Sequence, residues 1–252
     1  MSLVSFAPGP GVSGSACNPY AYADDAASCL FAPSGLVRIT DTEYAVYASA
    51  SDADNNGIYA VAATEAGSYH FGAGLGWTRS ESDPDTLDAS VSIAETLRGD
   101  PVGFMEGVFG PSISVGGSLG FAITDETKAE NMLSASLGLQ FSIFPTVAIG
   151  FDVSNLRLFG EKLRDREIGY GFSTVFHKGF RGHFSVKDKR PSFGFDLVIN
   201  DWLSVRTGSD GISWNAGLSA CFNSFKVDWA VMLENNDNRQ ALGISFSPGG
   251  FQ

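Results

Sequence analysis

Residues Met132 to Ser154 alternate between apolar and small polar side chains, and this pattern constrains the fold more than any other feature of the sequence. The first 20 of these residues carry no charge, so a hydropathy window alone would indicate a membrane helix. The period is two, however, and Pro145 would break a helix while suiting a tight turn. The stretch therefore predicts a β-hairpin with one apolar face. That face consists of Leu133, Ala135, Leu137, Leu139, Phe141, Ile143, Val147, Ile149, Phe151 and Val153.

The same alternation recurs from Asp41 to the C-terminus and predicts about 14 strands. A tilted strand of about 9–11 residues spans a bilayer, and the spacing allows that length. Residues 98–111 are left unassigned. Besides the two strands of the hairpin, strands are expected near Tyr44–Ala50, Ile58–Ala63, Tyr69–Arg79, Leu87–Leu97, Ser112–Thr124, Ile168–His177, Phe180–Lys187, Phe193–Asn200, Trp202–Gly208, Ile212–Ala220, Phe225–Leu233 and Leu242–Phe246.

The connections alternate in length, as they do in outer-membrane barrels. An even strand number places both chain ends on the short-turn side, which is periplasmic in such barrels. Aromatic residues beside the short turns would form an interfacial girdle. Minimal links are expected at Phe144-Pro145, Asn200-Asp201 and Asn223-Ser224, and longer polar ones at Asp125–Asn131, Asn155–Glu167, Lys187–Pro191 and Asn235–Arg239.

A soluble β-sandwich also alternates, with its apolar face turned inward, and it is the main alternative fold. The solvated face of a sandwich usually carries Lys, Glu and Thr, whereas here the second face is mostly Ser and Gly. Charged residues make up only 17% of the chain. The pattern therefore favours an all-β fold, a closed antiparallel up-and-down transmembrane β-barrel, with lipid outside and a small-residue lumen.

Charge and motifs exclude several function classes. The formal net charge of −12 argues against binding to nucleic acid. His70, His177 and His183 are scattered without metal-ligand spacing, and the sequence has no nucleophile elbow, P-loop or Cys-x-x-Cys motif. We therefore predict that the protein is not an enzyme and holds no metal or cofactor.

Residues 1–40 differ from the rest because they are rich in Gly, Pro, Ala and Ser and show little alternation. We expect either an ordered N-terminal arm or a plug inside the barrel, which would occupy residues 41–252. A helical turn is expected within Asp24–Leu30. Cys17 and Cys29 could form a disulfide in an oxidising periplasm, although spacing alone does not establish it. The candidate hatch and gating residues are Asn18, Pro19, Asp24, Asp25, Pro33 and Gly35.

Five charged residues fall on the small, polar face of their strands and are expected to face the lumen. One interpretation is that they pair with one another and solvate the interior. The other is that they hold the plug or bind a polar head group, and we favour the first. These residues are Asp152, Asp196, Arg206, Lys226 and Asp228.

Several motifs resemble the FadL-like outer-membrane proteins, and most closely their PorV/PorQ and UPF0164 branch. Ala23-Asp24-Asp25-Ala26-Ala27 followed by Ala32-Pro33-Ser34-Gly35-Leu36 resembles the segment that joins the hatch of this family to its first strand. The segments 202–208, 225–231 and 240–247 resemble three of its later strands. The resemblance implies a barrel of 14 strands with an N-terminal hatch.

Members of this family carry long-chain fatty acids and other hydrophobic compounds, whereas PorV-like members serve protein secretion and surface attachment. The resemblance therefore implies an outer-membrane location and a hydrophobic ligand or lipid as partner. Residues 1–16 lack a basic n-region and a long apolar h-region, so either the signal peptide has been removed or the protein is not exported, and we favour the first interpretation. The alternative is a barrel that serves secretion or binds other envelope proteins. The chain has Ala-Pro-Ser-Gly-Leu where the family has Asn-Pro-Ala-Gly-Leu, and it is short, which leaves little room for long external loops.

Overall fold

The computed structural model describes residues 25–52, 56–79, 84–99, 111–125, 130–144, 146–161, 163–234 and 237–251. Within these ranges, fourteen strands follow a short helix and a 3-10 turn. The helix is α1 (Ser28–Phe31) and the turn is Pro33–Arg38. The strands are β1 (Glu43–Ser51), β2 (Asn56–Ala66), β3 (Tyr69–Arg79), β4 (Thr86–Gly99), β5 (Ser112–Thr124), β6 (Asn131–Phe144), β7 (Val147–Gly160), β8 (Glu167–His177), β9 (Phe180–Lys187), β10 (Arg190–Asn200), β11 (Leu203–Ser209), β12 (Trp214–Phe222), β13 (Phe225–Glu234) and β14 (Asp237–Phe246).

The strands form one closed antiparallel barrel in which each strand pairs with its neighbours in the chain. Pairing of β1 with β14 completes the circle, in a register that runs from Tyr44 opposite Phe246 to Ser51 opposite Arg239. Closure leaves no unpaired strand edge. The predicted all-β barrel is confirmed, and the β-sandwich alternative is wrong because a sandwich consists of two separate sheets.

The two faces of the wall have opposite character. The outer face carries exposed apolar side chains around its circumference, such as Leu75 (60% exposed) and Leu137 (58% exposed). The inner face carries mostly Ser, Gly and a few charged residues, most of them buried. On β1 and β2 it is apolar instead, and Ala45, Tyr47, Tyr59, Val61 and Ala63 form a buried core there with residues 26–39. An apolar belt of this extent is far larger than a water-soluble surface normally carries, and it is typical of a barrel surrounded by lipid.

The hairpin interpretation of Met132–Ser154 is confirmed, since this stretch lies in β6 and β7. The predicted loop 155–167 is shorter than expected because β7 continues to Gly160. Asn155, at φ 56°, lies where the pairing of β6 with β7 slips, and the irregularity ends the simple alternation that reveals a strand in the sequence.

Three further predicted boundaries were wrong. The longer link expected at Asn235–Arg239 is contradicted, because β14 already begins at Asp237, which pairs with Glu234 at the end of β13. The link expected to be long at Lys187–Pro191 is a two-residue hairpin turn, in which Asp188 (φ 47°) and Lys189 (φ 71°) adopt the left-handed conformation of a primed turn. The strand expected from Ile212 begins only at Trp214, because the Asp210 carboxylate accepts the backbone N–H groups of Ile212 and Ser213 and holds them in a turn.

Among the described residues, no helix is long and apolar enough to cross a membrane.

The apolar belt on the outer face predicts how deep the residues of β6 lie in the bilayer. Leu137 lies at the middle of β6, and replacing it with Arg should lower the free energy of unfolding in lipid vesicles by about 2–4 kcal/mol, because a charge at the bilayer midplane is poorly solvated. Ile143 lies near the short-turn end of the same strand, and Ile143→Arg should cost at most about 1 kcal/mol. Urea titration of vesicle-embedded protein measures both values. Equal costs at the two positions would contradict the depth assigned to β6.

Candidate functional site

Residues Asp25 to Ile39 lie on the lumenal side of the wall formed by β3 to β6. They comprise α1 and the 3-10 turn, and Ala26, Cys29 and Leu36 are completely buried. We call residues 25–39 the inner segment.

Glycines in the wall allow the inner segment to approach the backbone. A Cβ added to Gly72 would lie 2.5 Å from the Cys29 Cβ, and one added to Gly74 would lie 2.5 Å from a Leu30 methyl group. The alternating glycines of β3, interpreted above as bare lumen lining, are therefore positions where the wall contacts the inner segment. The absence of side chains lets apolar groups pack directly on the strand backbone.

Polar contacts fix the inner segment at three points. The Ser92 hydroxyl donates a hydrogen bond to the Cys29 carbonyl (2.6 Å). The backbone N–H of Ala26 donates to a carboxylate oxygen of Glu43 (3.1 Å), and the His70 ring nitrogen Nδ1 lies 3.1 Å from the Ile39 carbonyl. These contacts satisfy backbone groups that would otherwise be buried without a partner, which is costly.

The structure locates three of the predicted gating residues. Asp25 begins the inner segment, Pro33 begins the 3-10 turn, and the backbone N–H of Gly35 donates to the Ala32 carbonyl (2.8 Å). All three are buried. Asn18, Pro19 and Asp24 lie outside the described residues.

The Cys17–Cys29 disulfide considered above also lies outside the described residues, since Cys17 does. Cys29 itself is fully buried. Burial raises the pKa of its thiol well above the usual range, and the nearby Asp25 carboxylate raises it further. The Cys29 thiol should therefore react slowly as long as the inner segment stays in place.

Four of the five predicted lumenal charges lie together on the wall formed by β10 to β13. Arg206 contacts two carboxylates, with its Nη1 3.4 Å from Asp228 Oδ1 and its Nε 3.9 Å from Asp196 Oδ1. Lys226 Nζ lies 3.8 Å from Asp228 Oδ2. Each carboxylate therefore has a cationic neighbour, as a low-dielectric interior requires.

Two residues not predicted from the sequence extend this charged network. His183 Nε2 lies 2.9 Å from Asp196 Oδ2, and its Nδ1 lies 2.8 Å from the Ser173 hydroxyl. The order Ser, His, Asp resembles a nucleophilic triad. Ser173 is only 1% exposed, however, so we interpret the chain as a means of satisfying buried polar groups. The sequence could have indicated that His183 faces the lumen, because it is two residues from Arg181 and from Ser185 and so shares the inner face of β9 with them.

Asp152 does not join this network. It lies on the inner face of β7, 2% exposed, beside the inner segment. A Cβ added to Gly138 would lie 2.8 Å from the Ser34 hydroxyl and 3.1 Å from Asp152 Oδ2, so both oxygens converge over this glycine.

An apolar groove of about 860 Å³ lies on the outer face of the barrel, across β1 to β6 and β14. Its floor consists of small outward-facing residues, Ala60 and Ala62 on β2, Ala73 on β3 and Ala89 on β4. Larger side chains border it, namely Tyr44, Val46, Leu75, Val91, Leu119, Phe121, Leu133, Ile244 and Phe246. The strand register places the floor residues side by side, since Ala62 pairs with Ala73 and Leu75 pairs with both Ala60 and Ala89.

The groove and the inner segment lie on opposite sides of the same part of the wall. On β3, Ala73 faces the groove while Gly72 and Gly74 contact Cys29 and Leu30. The barrier between the interior and the outer face is therefore little thicker than one strand backbone here. Among the described residues, no group of His, Cys, Asp and Glu could hold a metal ion.

These features define the class of protein as a 14-stranded barrel with an apolar outer belt, a packed N-terminal segment inside and a paired charge network on the inner wall. No family model and no curated protein matches the sequence.

Solved structures of outer-membrane channels do match the fold. The chain is similar to the CymD monoaromatic hydrocarbon channel, with a TM-score of 0.66, 10% identity and coverage of 97% of this chain and 98% of that one. A deltaS2 mutant of the TodX monoaromatic hydrocarbon channel matches with a TM-score of 0.63, 10% identity and coverage of 100% and 99%. A Pseudomonas aeruginosa FadL homologue matches with a TM-score of 0.58, 8% identity and coverage of 94% and 97%. At these identities the likeness establishes the fold.

The glycine contacts lead to a test of how the inner segment is held. Gly72→Ala would place a methyl group 2.5 Å from the Cys29 Cβ, so the segment must shift and the Cys29 thiol should react several-fold faster with a maleimide. Gly117→Ala is the matched control, because its methyl group would contact only Leu137 and Ser136 atoms at 3.5 Å or more. Mass spectrometry of the labelled peptide measures the rate. An unchanged rate in Gly72→Ala would contradict the contact.

Proposed function

We propose that this protein is a FadL-like barrel of the bacterial outer membrane that passes hydrophobic small molecules. The observation that carries the proposal is the apolar groove on the outer face, located directly behind the part of the wall that the inner segment covers. A cargo that is more soluble in hydrocarbon than in water gains free energy by leaving the barrel sideways into such a groove, at about 25 cal/mol per Å² of apolar surface removed from water.

The lining of the groove supports this choice of cargo. Apolar side chains and small residues border its floor, together with the hydroxyl group of Tyr44. A volume of this size is within the range of small-molecule sites, about 300–1,000 Å³. A charged or strongly hydrated solute would lose its hydration there without compensation.

The charged network on β8 to β13 supports a structural role for the lumenal charges. Asp196 lies beside both His183 and Arg206, while Asp228 lies beside Arg206 and Lys226. Breaking a buried pair of this kind typically costs about 3–5 kcal/mol. The network therefore favours charges that stabilise the wall over charges that wait for a ligand.

The hatch function of residues 1–40 is part of the proposal. The inner segment fills the lumen beside β3 to β6, so a cargo that leaves through this wall must displace it. Asp25, Pro33 and Gly35 would move with it, and we assign the same gating role to Asn18, Pro19 and Asp24.

Filling the groove tests the proposal. The double variant Ala60→Leu/Ala73→Leu should reduce uptake of a radiolabelled monoaromatic hydrocarbon or long-chain fatty acid several-fold, because two isobutyl groups would occupy the floor. Ala216→Leu is the matched control, since Ala216 faces outward on β12, away from the groove. Uptake is measured in cells that lack other routes for the probe, with protein amounts equalised.

The outcomes of this uptake experiment separate the candidate functions. Equal uptake in wild type and the groove-filled variant would contradict passage through this wall. Uptake no greater than in cells without the protein, together with a stably bound envelope protein, would favour the secretion or scaffold alternative. The relative uptake of the two probes would distinguish a fatty-acid carrier from a carrier of smaller apolar molecules.

A further inference from the structure

We infer that residues Leu163 to Arg166, which we call the strap, form an outer closure over the β4–β7 sector of the barrel mouth and open independently of the inner segment. This inference adds a form of regulation to the proposed function and rests on it only for the identity of the cargo.

The strap extends across the mouth to a distant strand. Arg164 Nη2 lies 2.6 Å from a carboxylate oxygen of Asp88, which is on the inner face of β4. The strap connects β7 to β8, so this ion pair bridges the mouth over β5 and β6. These are the strands whose lumenal side contacts the inner segment further down the barrel, at Gly116 and Gly138.

Fixed points define both ends of the strap. At its start, the backbone N–H of Glu161 donates to the Asn131 carbonyl (2.8 Å). Gly160 precedes it at φ 86°, and a Cβ at this position would lie 2.1 Å from the same carbonyl oxygen, so only glycine fits. At its end, the backbone N–H of Ile168 donates to an Asp188 carboxylate oxygen (3.0 Å). The strap can therefore pivot between two anchored ends.

The inner face of β5 and β6 near the ion pair is shielded from solvent. Ala122 on β5 and Met132 on β6 face inward near the loop ends of their strands, and they are only 4% and 1% exposed. Met132 pairs with Gly160, three residues before the strap begins. The strap thus lies where it can exclude solutes from the sector below.

The strength of the ion pair makes this closure switchable. The side chains of Arg164 and Asp88 are 31% and 15% exposed, and pairs with this much solvent contact are weak. At that strength the pair favours the closed strap by only roughly two- to five-fold. The inner segment, by contrast, is held by buried contacts. The two barriers therefore differ in stability, and the strap should open first.

Cysteine accessibility tests the strap. A single cysteine replaces Ser134, which faces inward on β6 below the ion pair, in a background with the native cysteines changed to serine. A membrane-impermeant, charged maleimide is added to intact cells. Arg164→Met should raise the labelling rate by up to about five-fold, because the closed strap then loses the stabilisation that the ion pair provides. Asp88→Asn removes the same pair from the barrel side and should give the same increase.

Two controls distinguish an opened strap from a loosened barrel. The charge swap Asp88→Arg/Arg164→Asp should return labelling toward the slow rate, because it restores opposite charges at the two positions. A cysteine in place of Ser204, a half-buried residue on the inner face of β11 outside the covered sector, should label at the same rate in every variant. Raising the salt concentration should speed labelling at position 134 with the native pair and leave Arg164→Met unchanged.

Three results would overturn the inference: equal labelling at position 134 with and without the pair, failure of the swap to restore slow labelling, or a parallel increase at position 204. The labelling does not depend on any cargo. If the uptake test fails while labelling responds as expected, the inference about the strap is supported and the proposed cargo is wrong. If labelling does not respond, the inference that the strap closes the barrel is wrong, whatever the uptake result.

Discussion

Closure of the sheet, which pairs the edges of its first and last strands, is the constraint on which the rest of the structure depends. An unpaired N–H or C=O facing hydrocarbon costs several kcal/mol, so a sheet with a fully apolar outer face must have no free edge. Pairing of β1 with β14 meets this requirement. Once the barrel is closed, alternation along each strand decides which side chains face outward, and the interior must be filled or solvated by the side chains that remain.

Small inward residues connect the wall to its proposed function. Glycine at Gly72, Gly74 and Gly116 lets the inner segment lie against the strand backbone, while alanine on the outer side of β2 to β4 forms the floor of the groove. The same choice of small residues on both faces therefore makes one part of the wall thin. On the opposite wall, charged side chains pair with one another. The barrel thus has a thin side with an apolar groove, where the proposed cargo would leave, and a polar side that stabilises the interior.

The sequence was sufficient wherever a side-chain period of two is unbroken. That period predicts the strands β6 and β7 and the inner face of β12. It also predicts that the side chains of Asp196 and Arg206 face the lumen. Prediction from the period fails at the Asn155 bulge. It also fails at Asp188 and Lys189, because these two residues with positive φ form a tight turn that composition does not distinguish from a longer loop. The contact of His183 with Asp196 depends on register between strands. The pair Arg164–Asp88 joins residues 76 positions apart, and no local pattern indicates it.

The central claim is that alternate residues of β6 and β7 face lipid and lumen in a closed barrel, and a nitroxide-lipid quenching scan tests it most directly. Single cysteines along β6 carry a fluorophore, and the protein is reconstituted in vesicles that contain a lipid with a nitroxide on its acyl chain. We expect strong quenching at positions 137, 139 and 141 and weak quenching at 136, 138 and 140. Quenching that shows no period of two would contradict the barrel wall described above, as would quenching by a water-soluble nitroxide alone at every position.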